Sequence, residues 1–475
     1  MRRVAKNFGW LAAATILGQV IGFVVLAVAS RELGPQLMGA YAFALGVATY
    51  IGVIANVGVN LLGSREVAQQ GKPTAEIFNE VVVLQGVLVL TSITVVFLGR
   101  DLLATSGLTA TLMMIGILGL GAHSMSAGWL LQAMGRSPSL GAAQLLGQVV
   151  YGVLAFFLLT SGTDGIIVFA WINVAGAFVA TTLTFIFAWK SRELRFVRVK
   201  VRALRLRFAG SVKVGIGLVV LSLYFAVGPV ALGYLANNVE TGYYSVAQKI
   251  PFALTAVATM WVTTWLPHAS RLALSDPADL NLSIEKVVTS LTGLGIVTVS
   301  ILAITSSDLM SLVFGQAFEA AGRPFAILMA AAGILAISGT ISAAVIAYKG
   351  DSQFSVAVCI AGLIAVLVTL GLVPFAGATG AAVGALAAEV AIFALMARQY
   401  RILSGRSLHV PFAPLLAITG LSVAPALALT LLYSSASPIL TLVVGLPGWL
   451  LATVLALRVR PGGENRSGPV QESIS

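Results

Sequence analysis

Residues 165–207 read GIIVFAWINVAGAFVATTLTFIFAW and then KSRELRFVRVKVRALRLR. The first piece runs for 25 residues without an Asp, Glu, Lys or Arg. A helix that crosses a bilayer needs about 20 mostly apolar residues. The second piece sets Lys190, Arg192, Arg195, Arg198, Lys200, Arg202, Arg205 and Arg207 against Glu193 alone. An apolar span closed by a basic loop is the unit from which the chain is built.

Working outward, the same unit gives fourteen expected spans: 8–30, 39–62, 80–99, 106–133, 139–160, 165–189, 209–236, 242–268, 287–306, 322–347, 353–375, 378–400, 411–434 and 437–457. Backbone polar groups in lipid must pair within their own segment, so these stretches are expected to be helices. A β-barrel would alternate apolar and polar residues, and these runs do not. The 475 residues are 58% hydrophobic and 9% charged, whereas a soluble protein carries roughly a quarter charged residues. The expected fold class is therefore an all-α integral membrane protein.

The net charge of +11 would suit a nucleic-acid partner, but the positions of the charges point elsewhere. With the N-terminus inside, Arg2, Arg3, Lys6, Arg65, Lys72, Arg136, Arg271, Lys286, Lys349, Arg398, Arg401, Arg406, Arg458 and Arg460 share one side. The opposite loops hold Arg31, Arg100 and Arg323. The positive-inside bias puts both termini in the cytoplasm of a multi-pass cell-membrane protein. Basic excess then reports topology and contact with anionic membrane lipids, and no nucleic acid. The strip from Lys190 to Arg207 is a solvated connector or a docking strip for anionic lipid, and its alternation suits an interfacial amphipathic segment. The first span is too long for a signal-peptide core and is expected to be retained. One cysteine, Cys359, excludes an internal disulfide.

Two halves look like copies. Gly39, Tyr41 and Ala44 recur as Gly242, Tyr244 and Ala247, 203 positions on. Gly162, Gly165, Val168 and Ala170 recur as Gly377, Gly380, Val383 and Ala385, 215 positions on. Both copies start in the same orientation, so the repeat is parallel, with a pseudo-twofold along the membrane normal. The expected organisation is a six-helix lobe over 1–190, a basic linker at 191–208, a second six-helix lobe over 209–405, two further helices in 406–460 and a disordered tail over 461–475. The 49 glycines suit helices that approach closely in lipid.

Four short pieces carry a resemblance. The first loop reads Arg31-Glu32-Leu33-Gly34-Pro35, then Gly39-Ala40-Tyr41. Later come Gly242-Tyr243-Tyr244-Ser245-Val246-Ala247-Gln248-Lys249, Phe314-Gly315-Gln316-Ala317-Phe318-Glu319-Ala320-Ala321, and Pro374-Phe375-Ala376-Gly377-Ala378-Thr379-Gly380. In this order, over about residues 7–400, they resemble the O-antigen-type polysaccharide flippases of the multidrug/oligosaccharidyl-lipid/polysaccharide exporter superfamily. The resemblance implies a transporter, not an enzyme. Its substrate would be a polyprenyl-diphosphate-linked oligosaccharide moved to the outer leaflet by alternating access, with polysaccharide polymerase or glycosyltransferase machinery as partners. Two relatives stay open. Lipid II flippases carry arginines in the first helix, where this chain has Val24 and Val25 after Gly22-Phe23. Multidrug exporters often place an acidic residue in that helix, and none precedes Glu32 here.

A diphosphate head needs cationic partners away from water. Lys249 lies about seven residues inside the eighth span, just before Pro251. An intramembrane lysine marks a functional site by default; the alternative is a lysine snorkelling to the interface. The related lipid II flippases carry a basic residue at the matching place. Arg31, beside Glu32, and Arg65, beside Glu66, are the outer and inner candidates for the head group, or helix-end anchors. Glu389 and His123 sit in mid-span and are candidates for coupling to a proton or Na+. Asn56, Asn60, Gln85, Gln144, Gln148 and Asn173 are candidates to hydrogen-bond sugar hydroxyls, or each other's helices. No phosphate-binding Gly-x-x-x-x-Gly-Lys-Ser/Thr loop, spaced metal-ligand set or Ser-His-Asp arrangement occurs, so neither metal nor cofactor is expected.

Overall fold

The computed structural model describes residues 2–69, 73–190, 197–275, 277–348 and 350–405. The spans expected at 411–434 and 437–457, the tail, Lys72, Lys349, Arg406, Arg458 and Arg460, and the linker residues Arg192, Glu193 and Arg195, lie outside the described residues. The described chain is helical, with no strand among the described residues. Its elements run α1 (Arg2–Gly52), a 3-10 turn (Val53–Asn56), α2 (Val59–Ala68), α3 (Thr74–Leu103), α4 (Gly107–Ser124), α5 (Gly128–Ala133), α6 (Ser137–Leu158) and α7 (Gly162–Trp189). They continue with α8 (Val201–Leu235), α9 (Asn238–Ala247), α10 (Lys249–Ser275), α11 (Pro277–Phe314), a second 3-10 turn (Gln316–Ala321), α12 (Gly322–Ala347) and α13 (Asp351–Ser404).

Eight helical stretches among the described residues are long and apolar enough to cross a bilayer. Two of them are too long to do so once. Gly9–Gly52 has 44 residues, which is roughly 66 Å of straight helix at 1.5 Å per residue, about twice the hydrocarbon thickness. It turns at Gly34, whose φ of 70° and ψ of 173° lie where glycine alone is comfortable. Pro35 follows and disfavours helical backbone at the residue before it. The 54-residue α13 turns in the same way at Gly377, φ 51°, three residues after Pro374. Each pair of expected spans on either side of these glycines is thus two helices joined by a sharp, non-helical turn at the glycine. Elsewhere, expected spans are broken. The second is interrupted between Gly52 and Val59, where Gly58 adopts φ 71° and approaches Gly215 of α8 so closely that a Cβ would lie 2.6 Å from the Gly215 Cα.

The outward faces have the composition lipid requires. Val356, Ile360, Leu363, Leu367 and Leu370 of α13 are exposed, as are Val83, Val87, Leu90, Phe97 and Leu98 of α3. On a soluble protein such stripes would be sticky patches; in a bilayer they are the lipid contact.

The helices gather into two compact units. The first comprises Met1–Leu254, Thr305–Ala332 and Ser355–Ile392. One core patch in it joins α2, α3 and α5 through Val59, Ile77, Val81, Leu130 and Leu131, with Phe78 stacked on Trp129 at 6.5 Å. In the same unit α1 and α9 meet through glycine. A Cβ on Gly39 would lie 1.6 Å from the Asn238 carbonyl oxygen, and one on Gly242 would lie 2.0 Å from that of Pro35. The contact is reciprocal: 39 and 242, and 35 and 238, are each separated by the repeat offset of 203. Glu240 of α9 accepts a hydrogen bond of 2.7 Å from the Ala378 N–H, capping the part of α13 that restarts after Gly377. A carboxylate at that helix start also suits the helix dipole.

The second unit comprises Thr255–Ile304, Gly333–Phe354 and the described residues from Phe393 onward. Its buried Asn281 accepts hydrogen bonds from the hydroxyls of Tyr400 at 2.5 Å and Tyr348 at 3.3 Å, tying α11 to α12's end and to α13.

Candidate functional site

Lys249 opens a new helix and does not sit inside a continuous one. Pro251 lacks an N–H and crowds the carbonyl four residues back, so α9 stops at Ala247 and α10 starts at Lys249. The break leaves Lys249 exposed. It lines a cavity of about 230 Å³ together with Leu26, Met38, Tyr41, Thr49 and Gln248. The lining holds no carboxylate, and no ion pair found among the described residues includes Lys249. A cation in an otherwise neutral, largely apolar hollow needs a mobile anion or water to solvate it.

A second cavity, of about 470 Å³, lies between α1, α4, α6 and α7. The expected residues His123, Gln144, Gln148 and Asn173 all line it. It adds Gln19, an amide in mid-span of the first apolar stretch that is missing from the expected residues, and Tyr151, which nothing in the sequence pattern singles out. The Tyr151 hydroxyl lies beside the Asn173 side chain, and both Tyr151 and Tyr41 pack their rings on Phe169, at 6.1 Å and 5.3 Å. Gln148 presents a buried Oε1 with no hydrogen-bond partner. Glycines bring the walls together: a Cβ on Gly147 of α6 would lie 2.7 Å from the Gly176 carbonyl oxygen of α7. Tyr41 and Leu45 line both cavities, so the cationic and the amide-rich hollow adjoin at one step of α1.

The remaining expected residues lie apart from both cavities. Gln85 is buried and donates to the Ala55 carbonyl at 3.1 Å, closing the 3-10 break in the second span. Asn60 donates to the Ser124 carbonyl at 3.3 Å and ties α2 to the end of α4. Asn56 ends the 3-10 turn, and its side chain lies outside the described residues. Arg31 donates to the carbonyls of Leu312 and, at 3.1 Å, Val313, capping the C-terminus of α11. Cations are favoured there because the last carbonyls of a helix lack partners. Arg65 is exposed in the last turn of α2. Glu389 of α13 is 4% exposed; its Oε1 accepts from the Tyr224 hydroxyl at 3.1 Å and its Oε2 has no partner. The two expected coupling residues are thus separated, since His123 faces the larger cavity and Glu389 lines neither. If Glu389 carries the coupling ion, Glu389→Gln should make transport insensitive to an imposed proton or Na+ gradient; persistence of that gradient dependence would make Glu389 structural.

One polar cluster is hidden in the sequence. Arg207 belongs to the basic strip, yet its side chain is only 2% exposed. Helix α8 begins at Val201, so Arg207 is carried into the protein. Its Nη2 lies 2.8 Å from Glu66 and 2.6 Å from Glu80, and its Nε donates to Glu80 at 2.9 Å. Glu66 therefore pairs across to α8, not with its neighbour Arg65. The available signal is Glu80, an acid at the edge of an apolar span facing a strip with an excess of cations.

A family model described as "Polysaccharide biosynthesis protein" matches residues 4–273, more than half of the chain. The chain belongs to the polysaccharide biosynthesis protein family. This family member shares its fold with solved membrane transporters. A lipid II flippase, MurJ, in an inward closed conformation, is 12% identical with a TM-score of 0.77, over 94% of this chain and 98% of that one. An inward-facing multidrug resistance MATE family transporter of the MOP superfamily is 13% identical with a TM-score of 0.57, over 84% and 96%. The eukaryotic MATE transporter AtDTX14 is 15% identical with a TM-score of 0.52, over 85% and 99%. No curated protein sequence matches. The family member is thus a multi-pass membrane protein with the transporter fold expected from its four motif pieces.

Proposed function

We propose that this family member flips a polyprenyl-diphosphate-linked oligosaccharide from the cytoplasmic to the outer leaflet of the cell membrane, by alternating access, for the synthesis of a surface polysaccharide. Lys249 carries the reading. A lysine at membrane depth is costly unless paired or hydrated, and its cavity supplies no acid to pair with it. A diphosphate crossing the bilayer has the complementary need. The lipid tail stays in the membrane while the head passes through the protein. Arg65 meets the head group on the cytoplasmic side, and Arg31, which links α1 to the end of α11, does so on the outer side. Two parallel six-helix lobes, 1–190 and 209–405, rock about the path, with both termini cytoplasmic and polymerase or glycosyltransferase machinery receiving the product. His123 and Glu389 are the residues for coupling to a proton or Na+.

The test is flipping in proteoliposomes of a labelled polyprenyl-diphosphate oligosaccharide, with a fluorescent cationic drug in parallel. Lys249→Ala should abolish sugar-lipid movement at normal expression, and Lys249→Arg should keep part of it. Full activity of the Ala variant would remove the central residue. Drug movement without sugar-lipid movement would make the protein a multidrug exporter of the same superfamily.

A further inference from the structure

We infer that the 470 Å³ cavity is a separate sugar subsite and that it takes an uncharged glycan, with Gln148 as a specificity-determining residue. The inference rests on the flippase reading above. Its ground is the division of chemistry between the two adjoining hollows. The smaller has the cation and no amide other than Gln248. The larger has Gln19, Gln144, Gln148, Asn173, His123 and the Tyr151 hydroxyl, and no Asp, Glu, Lys or Arg.

Side-chain amides offer both a donor and an acceptor, as a sugar hydroxyl or acetamido group does. They form neutral hydrogen bonds in either direction. A uronic or sialic carboxylate in the same hollow would shed water and meet no permanent cation, with the imidazole of His123 as its one possible cationic partner, and an unpaired buried charge is strongly disfavoured. The size also fits: small-molecule cavities run from about 300 to 1,000 Å³. The diphosphate and the first sugar are covalently joined, so their subsites must touch. They do, at Tyr41 and Leu45.

Gln148 is singled out by its spare capacity. Its Oε1 is buried and unpartnered, and it sits against Gly22, where a Cβ would lie 3.4 Å from that oxygen. A structural glutamine in lipid would be expected to bond a neighbouring helix, as Gln85 does. A turn of the terminal amide swings that oxygen out from Gly22 to the cavity the side chain lines, where a ligand's hydroxyl can satisfy it. Thr15 differs: its hydroxyl already donates to the Leu11 carbonyl at 2.8 Å.

The experiment uses the full chain in proteoliposomes with three labelled lipids. These are a polyprenyl diphosphate bearing a neutral trisaccharide, the same lipid with one sugar replaced by a uronic acid, and sugar-free polyprenyl diphosphate. The neutral glycolipid should move at least about tenfold faster than the acidic one, and Gln144→Lys should narrow that gap. Gln148→Leu should slow the neutral glycolipid about tenfold, the worth of roughly one hydrogen bond, and leave the sugar-free lipid unchanged. Equal rates for neutral and acidic glycolipids would overturn the subsite while leaving the flippase reading intact. Equal slowing of glycolipid and sugar-free lipid by Gln148→Leu would make that residue structural. Movement of none of the three lipids would overturn the flippase reading and the subsite with it.

Discussion

Arg207→Ala should destabilise the protein by about 3–5 kcal/mol, because removing one member of a buried ion cluster leaves the others uncompensated. Here the residue removed is the cation shared by two carboxylates. Glu80, whose side chain is 12% exposed, would lose its ion pairing to α8, and Glu66, at 33%, would be relieved in part by water. Most of the loss should therefore come from Glu80. Thermal unfolding in detergent, checked by denaturant titration, reads it directly. Arg207→Lys should rescue little, since an ammonium cannot reproduce the fork by which Nε and Nη2 hold Glu80 while Nη2 also reaches Glu66. Combining Arg207→Met with Glu66→Gln and Glu80→Gln should recover much of the loss, because replacing a whole buried cluster with neutral groups is often close to neutral. An Arg207→Ala protein that melts with the wild type would show that the cluster contributes nothing net.

The second large effect is expected at the α1–α9 contact. Alanine at Gly39 would put its Cβ 1.6 Å from the Asn238 carbonyl oxygen, and alanine at Gly242 would put its Cβ 2.0 Å from that of Pro35. Both opposing atoms are backbone, so no rotamer change relieves the clash and the helices must part. Overpacking in a core usually costs about 1–3 kcal/mol, and each of these substitutions should reach the top of that range or exceed it. The double variant should cost clearly less than the sum, because helices already separated by one methyl accept the second. Substitutions at one contact are expected to couple in this way, and distant ones to add. Strict additivity would mean that the two glycines do not share a contact.

Much of the fold is legible because apolar length and basic punctuation are properties of the chain alone. The bends at Gly34 and Gly377 are less so. Each falls in a Gly–Pro neighbourhood that reads as a loop, and only the helix running on past it shows how short the turn is. Lys249 stands out as an isolated cation in an apolar run, and the nearby Pro251 hints at the helix break that exposes it. The cavity is legible in part. Gln144, Gln148, Asn173 and His123 stand out as polar groups in lipid, but so do Gln85 and Asn60, which bridge backbone breaks. Which polar side chain faces a hollow and which faces a carbonyl depends on the neighbouring helix. Gln19, in the middle of the span 8–30, carries the same signal as the other amides and is absent from the expected set, while Tyr151 and Tyr224 read as packing aromatics. Arg207 is masked by its company, since seven other cations in the same strip make it look solvated.

The reciprocal glycine contact has a genealogical meaning. Because Gly39 meets the Asn238 region as Gly242 meets Pro35, the two contacts are exchanged by a shift of 203 positions, as the expected duplication requires. A half-length chain bearing Pro35 and Gly39 would recognise a second copy of itself through two equivalent contacts, as the subunits of a symmetric dimer do. Under the expected duplication, the two sides of this contact differ at one step, proline at 35 and asparagine at 238, while the glycine four residues on is the same in both.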